Sequence, residues 1–108
     1  MVRMMPRRIL PIAAALSLGT FVSAHAATIQ ISIENMVFPP AETTAKVGDS
    51  IEWINKDIVA HTATARNGDF DVTILPKKTA TVVLKKPGTV DYYCRFHPNM
   101  KATLIVTP

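Results

Sequence analysis

Seven residues near the C-terminus combine three side chains that can coordinate a metal. Their sequence is CRFHPNM, so that Cys94, His97 and Met100 lie at intervals of three residues. The segment lies between two predicted strands, and we therefore expect a tight loop. Taken singly, a cysteine, a histidine or a methionine is more often a structural residue than a ligand. The three ligand types spaced regularly in one loop are what indicate a metal site.

A fourth ligand is predicted from the small number of histidines. Outside the first 26 residues the chain contains one cysteine and two histidines, His61 and His97. Two imidazoles, a thiolate and a weak axial thioether form the ligand set of a blue copper site. Zinc gains little from a thioether, and an iron–sulfur cluster needs more cysteines. We predict one copper ion held by His61, Cys94, His97 and Met100, with Met36 as the spare methionine.

The first 26 residues have the pattern of a secretory signal peptide. Three arginines and no acidic residue occupy the first eight positions, an apolar stretch follows over 14 residues, and Ala24-His25-Ala26 supplies the small residues of a cleavage site. A membrane-spanning helix needs about 20 apolar residues, more than this stretch contains. We predict cleavage after Ala26, a folded domain at residues 27–108, a location in the periplasm and no stable membrane association.

Most of the positive charge belongs to the predicted signal peptide. The chain carries 12 Lys and Arg against 8 Asp and Glu, which gives a formal charge of +4, and three of the basic residues lie in residues 1–26. The folded domain keeps a formal charge of +1, so we expect no nucleic-acid partner. A single cysteine excludes an internal disulfide and every CxxC motif, and 108 residues fit one domain, which we expect to be a monomer.

The sequence after residue 27 predicts short strands throughout. Apolar and polar residues alternate from Thr28 to Glu34 and again from Ile51 to Trp53, as in half-buried strands. Turns containing Gly, Pro or Asn separate further predicted strands at 59–64, 70–75, 79–84, 89–94 and 102–107. The pattern predicts an all-β fold, an antiparallel sandwich or barrel. Its expected core is Ile29, Ile31, Ile33, Phe38, Val47, Ile51, Trp53, Phe70, Val82, Leu84, Tyr92, Leu104 and Val106.

Several segments together form a pattern shared with a known family. They are FP at 38–39, VGDSIEWIN at 47–55, Asp57, His61 and GTVDYYCRFHPNM at 88–100. The chain resembles the cupredoxins of the plastocyanin and amicyanin type over nearly all of residues 28–107, with the short ligand loop of amicyanin. The resemblance implies a Greek-key β-sandwich, a type 1 copper ion and one-electron transfer without enzymatic catalysis. Tyr92 matches the corner tyrosine of the family.

The resemblance also implies how electrons enter and leave. In the family the edge of the histidine that matches His97 reaches the surface and serves as the exit for the electron. We expect Phe96, Pro98, Met36 and Phe38 to form an apolar docking rim around it. The partners would be redox proteins, an electron donor and an acceptor, that bind transiently through a small interface.

One departure and one alternative function remain open from the sequence. The residue after the first ligand is often Asn in the family, where it tethers the two ligand loops, whereas this chain has Thr62. The reduction potential therefore cannot be carried over from the resemblance. Copper binding for trafficking or resistance is the alternative function, since it uses similar ligands but needs copper that exchanges readily.

Two enzyme classes are disfavoured by the residues around the cysteine. A multicopper oxidase or a nitrite reductase needs further histidines, some of them beside the cysteine, but Tyr93 and Arg95 occupy these positions. A hydrolase would use Cys94 as a nucleophile with a histidine as its base. No oxyanion-hole signature accompanies the cysteine, so we expect that the protein is not an enzyme.

Overall fold

Eight strands in two sheets make up the fold. The computed structural model describes residue 4 and residues 25–108, and the described residues contain no helix and hence none that could span a membrane. The strands are β1 (Thr28–Ile33), β2 (Glu42–Lys46), β3 (Ser50–Asn55), β4 (His61–Ala65), β5 (Asp71–Ile74), β6 (Thr79–Val83), β7 (Gly88–Tyr93) and β8 (Lys101–Thr107). One sheet has the order β1-β3-β6 and the other β2-β8-β7-β4-β5. The predicted all-β Greek-key sandwich is confirmed. The predicted signal peptide lies outside the described residues, apart from residues 4, 25 and 26.

Two strand pairs are parallel, which corrects the prediction of an antiparallel fold. β1 runs parallel to β3, with Ile31 opposite Trp53, and β2 runs parallel to β8, with Ala45 opposite Val106. After β1 the chain crosses to the other sheet, adds β2 at its edge, and returns to place β3 beside β1 in the same direction. The alternation within one strand does not specify its neighbour's direction, so the sequence pattern could not distinguish the two arrangements.

Strand β2 was absent from the prediction because its sequence has no large apolar residue. It reads ETTAK, and only Ala45 is buried. Its five residues pair with Thr103–Thr107 of β8, so the strand forms by completing the edge of an existing sheet. The other predicted strands agree with β1 and β3–β8 to within about two residues, which is the usual precision for strand ends.

The core lies between the two sheets and contains an aromatic cluster. Ring centroids of Phe38 and Tyr92 are 4.9 Å apart, those of Trp53 and Phe70 are 5.4 Å apart, and those of Trp53 and Tyr92 are 5.6 Å apart. Such tilted and edge-to-face pairs add stabilisation beyond the burial of their area. Trp53 Nε1–H also donates a hydrogen bond of 3.4 Å to the Tyr92 hydroxyl, which is buried.

The predicted core is correct except at Val47. Val47 is 40% exposed because it lies in the turn that follows β2, where its backbone N–H bonds to Thr107. Ile29 and Val82 are partly buried and pack against the core, and the other predicted residues are buried. The prediction for Val47 was wrong because a turn between two strands leaves this apolar side chain at the surface.

Strand β4 is the element that brings the chemically active segments together. All five of its residues, HTATA, are buried. Its register places Thr64 opposite Tyr93 of β7, so the start of β4 runs past the end of β7 and alongside the segment that begins at Cys94. Successive side chains of a strand point to opposite faces. Since Ala63 belongs to the core, Thr62 and Thr64 lie on the other face.

Candidate metal centre

Three of the four predicted ligands meet at one end of the sandwich. His61 is the first residue of β4, Cys94 directly follows β7, and His97 lies in the loop that leads to β8. Their potential ligand atoms all lie within 4.8 Å of one another. His61 and Cys94 are fully buried, whereas His97 is partly exposed. Residues 33 positions apart in the chain thus form one cluster because β4 and β7 are neighbours.

The spacing of the donor atoms fits a metal ion. Cys94 Sγ is 3.9 Å from His61 Nδ1 and 3.7 Å from His97 Nδ1. With bonds of about 2.3 Å to sulfur and about 2.0 Å to nitrogen at trigonal angles, a sulfur and a nitrogen ligand lie about 3.7 Å apart. The two imidazole rings meet edge to face, with centroids 5.2 Å apart. One thiolate and two imidazole nitrogens at this separation suit copper by their softness.

Asp57 orients the His61 ring. Its Oδ2 lies 2.8 Å from His61 Nε2. A carboxylate only accepts hydrogen bonds, so Nε2 carries the proton and the lone pair of Nδ1 faces the thiol. Burial of Asp57 raises the pKa of its carboxyl, but hydrogen bonds from His61 and from the backbone of Met36 and Asn35 outweigh it and lower the pKa below its usual value. Asp57 therefore stays ionised and keeps His61 in the tautomer that can bind a metal through Nδ1.

Asn55 holds the segment that precedes His61. Its side-chain amide donates hydrogen bonds to the carbonyl oxygens of Val59 at 2.8 Å, Ile74 at 3.0 Å and Leu75 at 3.2 Å. Its Oδ1 accepts a bond of 2.9 Å from the backbone N–H of Asp57. Asn55 is buried at the end of β3. It therefore fixes both the Asp57 that orients His61 and the loop that leads into β4.

Backbone hydrogen bonds close the loop from Cys94 to Met100. Cys94 N–H donates to the Met100 carbonyl at 2.9 Å, Met100 N–H to the His97 carbonyl at 2.8 Å, and His97 N–H to the Cys94 carbonyl at 3.3 Å. The ends of the loop are thus held together, and Met100 is buried. These backbone bonds confine the three potential ligands that the loop contains.

Thr62 connects the two ligand segments in place of the asparagine that is frequent in the family. Its backbone N–H donates to Cys94 Sγ at 3.3 Å, and its hydroxyl accepts a bond of 2.7 Å from the backbone N–H of Arg95. One contact is to the Cys94 sulfur and the other is to the next residue of the loop, and Thr62 is fully buried. The departure noted in the sequence therefore preserves the tether, with a hydroxyl as the acceptor.

The surface above the site is partly apolar. Phe96 is 51% exposed and Met36 is 37% exposed, and both line a shallow pocket with His97, Pro98, Asn99 and Met100. The prediction that Phe38 belongs to this rim is wrong. Phe38 is only 2% exposed, because its ring packs edge to face on Tyr92 in the core.

Several contacts around the site were missed by sequence reasoning. The sequence marks Asp57 only as part of a family pattern, and its position four residues before His61 is the signal that could have suggested their hydrogen bond. Asn55 was noticed in the same way, without a role. No sequence pattern indicates a role for Thr64 or Asp71, since their contact with the ligand loop depends on the pairing of β4 with β5 and β7.

Comparisons with known proteins agree with this geometry. The family model described as a cupredoxin-like domain matches residues 8–106. Amicyanin-alpha of Methylorubrum extorquens is 30% identical over 99 residues, covering 86% of this chain and 83% of the relative. Amicyanin of Paracoccus denitrificans is 28% identical over 94 residues, covering 80% of this chain and 72% of the relative.

The chain is also similar in fold to solved amicyanin structures. A reduced Cu(I) form at pH 4 of an amicyanin mutant superimposes with a TM-score of 0.64 and 26% identity, covering 73% of this chain and 81% of that one. The reduced state of another amicyanin mutant has the same TM-score with 27% identity and the same coverage. The family model and the solved structures thus agree on the fold of this chain. The chain therefore belongs to the cupredoxin-like domain family and is a cupredoxin of the amicyanin type.

Proposed function

We propose that the protein is an electron carrier with one type 1 copper ion per chain. His61 Nδ1, His97 Nδ1 and Cys94 Sγ would hold the ion, with Met100 as a weaker fourth ligand. The observation that carries the proposal is the cluster of two imidazoles and one buried thiol, with ligand atoms within 4.8 Å. When bound, copper supplies a one-electron Cu(II)/Cu(I) couple. One of the related solved structures is described as a Cu(I) form, which supports the choice of metal.

The protein's contribution is to hold the ligands in nearly one arrangement. Asp57 fixes the orientation of His61, and Thr62 N–H bonds to the Cys94 sulfur. Three backbone hydrogen bonds confine the loop from Cys94 to Met100. Because these contacts are made within the protein itself, we expect a change of oxidation state to require little rearrangement of the ligands. A small rearrangement favours fast transfer and disfavours loss of the ion.

The electron would leave through His97, the one partly exposed residue of the three. Phe96 and Met36 offer apolar surface beside it, and Pro98 completes the rim. A small apolar patch fits transient docking of a redox donor and an acceptor, and a monomer is sufficient for this role. We infer no nucleic-acid partner and no stable membrane association, since the folded domain has a formal charge of only +1.

We also propose that the protein acts in the periplasm. The arginines and the apolar stretch of residues 1–26 support export, and the small residues before Ala27 support cleavage that leaves a domain of residues 27–108. Mass spectrometry of the protein recovered from a periplasmic extract tests both statements. An N-terminus at Ala27 supports them, and an intact residue 1 in that fraction contradicts the cleavage.

Absorption spectroscopy of the mature protein loaded with Cu(II) tests the carrier function. We expect an intense blue thiolate-to-copper band that a mild reductant bleaches reversibly and that Cys94→Ser abolishes. Copper trafficking, the second candidate function, uses similar ligands but needs an exchangeable ion. A colourless complex, or copper lost rapidly to a weak chelator, would favour trafficking over electron transfer. We also propose that the protein is not an enzyme.

The choice of axial ligand has its own test. Met100 is buried in the ligand loop, while Met36 is 37% exposed and lines the same pocket. Replacing an axial thioether by an alkyl group removes a weak ligand and raises the reduction potential. We expect this rise in Met100→Leu and no comparable change in the matched control Met36→Leu. The reverse result would assign the axial position to Met36.

A further inference from the structure

A closed ring of hydrogen bonds connects the ligand loop to a surface carboxylate. The backbone N–H of Arg95 donates to Thr62 Oγ1 at 2.7 Å, and the hydroxyls of Thr62 and Thr64 are 3.0 Å apart. Thr64 Oγ1 donates to Asp71 Oδ1 at 2.8 Å, and the same oxygen accepts a bond of 3.2 Å from Arg95 Nε. The ring thus begins and ends at Arg95, the residue directly after Cys94.

The carboxylate determines the direction of the two bonds in this ring that the threonine hydroxyls donate. An ionised Asp71 can only accept, so the single proton of the Thr64 hydroxyl is committed to it. The Thr62 hydroxyl must then donate to Thr64, and its lone pairs are left to accept from Arg95 N–H. Thr62 is fully buried, and Thr64 is only 9% exposed. Water therefore has little access to replace either hydroxyl.

Hydrogen bonds also keep Asp71 in the charged state that this arrangement needs. The Thr64 hydroxyl and the Arg95 guanidinium lower the pKa of the Asp71 carboxyl below its usual value, against a smaller opposing effect of burial. Asp71 is half exposed and contacts neither a histidine nor the thiol. The ring therefore links a solvent-accessible charge to the buried segment around Cys94 through two threonines.

The ring is coupled to the thiol at Thr62. The backbone N–H of Thr62 donates to Cys94 Sγ, and the hydroxyl of Thr62 holds the backbone of Arg95. These two contacts lie on adjacent residues of the ligand loop, so a shift of the Arg95 backbone changes the distance between the Thr62 N–H and the sulfur. Cys94 is fully buried, and among the described residues the Thr62 N–H is the one backbone N–H that bonds to its sulfur, which the Nδ1 atoms of His61 and His97 also face.

We propose that Thr64 and Asp71 are positioning residues of the metal centre, which act through the Thr62 hydroxyl to fix the hydrogen bond to the Cys94 sulfur. The expected effect on the reduction potential rests on the proposed copper function, but the expected effect on hydrogen exchange at the Arg95 amide does not. Hydrogen bonds to a ligating sulfur are one of the means by which proteins tune a redox potential. The sulfur bears more negative charge beside Cu(I), so a firm N–H bond stabilises the reduced state.

The Thr64→Val variant tests the proposal, with Thr64→Ser as the matched control that keeps the hydroxyl. In the copper-loaded protein we expect Thr64→Val to decrease the equilibrium constant for reduction by about two- to fivefold, or about 20–40 mV at 59 mV per tenfold change. In the copper-free protein we expect hydrogen exchange at the Arg95 amide to become about two- to tenfold faster. Thr64→Ser should leave both quantities close to those of the unmodified protein.

A double-mutant cycle shows whether the effect passes through Thr62. Thr62→Val removes the hydroxyl that accepts from the Arg95 N–H, so the hydrogen bonds that lead from Asp71 through Thr64 to Arg95 are already interrupted in that background. We expect Thr64→Val to cause no further change when it is combined with Thr62→Val. Equal effects in both backgrounds would overturn the proposal, as would a rise in potential in Thr64→Val or no difference between Thr64→Val and Thr64→Ser.

The role of the carboxylate is tested in the copper-free protein, where its charge has no metal to act on. We expect Asp71→Ala to accelerate exchange of the Arg95 amide, and the control Asp69→Ala to leave it unchanged, because Asp69 bonds only to Asn67 in the nearby turn. Equal exchange rates in the two variants would refute the role of Asp71. If the unmodified protein fails to form a blue complex, the proposed function fails. The exchange rates still test whether Thr64 and Asp71 hold the Arg95 amide through the Thr62 hydroxyl.

Discussion

Asn55 offers the sharpest test of how the fold positions the first histidine. Its side chain bonds to three carbonyl oxygens and to one backbone N–H, all of them on segments that flank His61 or pair with its strand. The substitution Asn55→Ala removes these bonds without adding bulk. Asn55→Asp keeps the acceptor for the Asp57 N–H but directs a carboxylate oxygen at the carbonyl oxygens.

The magnitude follows from counting the bonds. The two amide protons of Asn55 can make two good hydrogen bonds among three acceptors, and Oδ1 makes a third. Each is worth about 0.5–1.5 kcal/mol, and the bond to the Ile74 carbonyl is fully buried, while water can partly replace those to Val59 and Leu75. We therefore expect Asn55→Ala to lower the free energy of unfolding by about 2–3 kcal/mol.

Urea unfolding of the copper-free domain measures this change, with the fluorescence of Trp53, the one tryptophan, as the probe. Asn67→Ala is the matched control, since Asn67 makes its side-chain bonds only in an exposed turn and should lose less than about 1 kcal/mol. At pH 7 we expect Asn55→Asp to be at least as damaging as Asn55→Ala. Burial among carbonyl oxygens raises the pKa of the introduced carboxyl, so its penalty should shrink as pH falls and the carboxyl protonates.

A small effect would refute the reasoning. If Asn55→Ala loses less than about 1 kcal/mol, or no more than Asn67→Ala, the bonds of Asn55 are not what fixes the segment before His61. If the stability penalty of Asn55→Asp relative to the unmodified protein grows as pH falls, its carboxylate is not held against the carbonyl oxygens. In either case the orientation of His61 would depend on Asp57 alone.

Three further predictions concern pH and metal. The backbone N–H groups of Ala27 and Lys46 lower the pKa of Asp49, so the stability they add is present above about pH 3.9 and is lost as pH falls through the lower folded-state value. Urea midpoints should therefore fall less steeply in acid for Asp49→Asn. Burial raises the pKa of Tyr92 to about 12, so stability should be lost between about pH 10 and 12, and Tyr92→Phe should abolish a late step in tyrosinate absorbance. Free copper at 100 times its dissociation constant should stabilise the domain by about 2.7 kcal/mol, measured by thermal unfolding, but not in Cys94→Ser.

Local chemistry and local pattern were enough to identify the elements of the site. The spacing of Cys94, His97 and Met100 depends only on chain order, and a tight loop between strands can hold them together whatever the rest of the fold does. The alternation of apolar residues likewise places most strands and most of the core. By contrast, the burial of Phe38 and the exposure of Val47 depend on how loops pack against the sheets.

The sequence alone determined the candidate ligands of the C-terminal loop, their spacing and the all-β class, because each of these is set by residues close together in the chain. The tertiary structure decided that β1 and β3 run parallel and that Asp57 faces His61 Nε2. It also decided that hydrogen bonds connect Thr62 through the Thr64 hydroxyl to Asp71. These contacts depend on which strands become neighbours and in which register. That choice is made by the packing of the whole sandwich, and no local pattern records it.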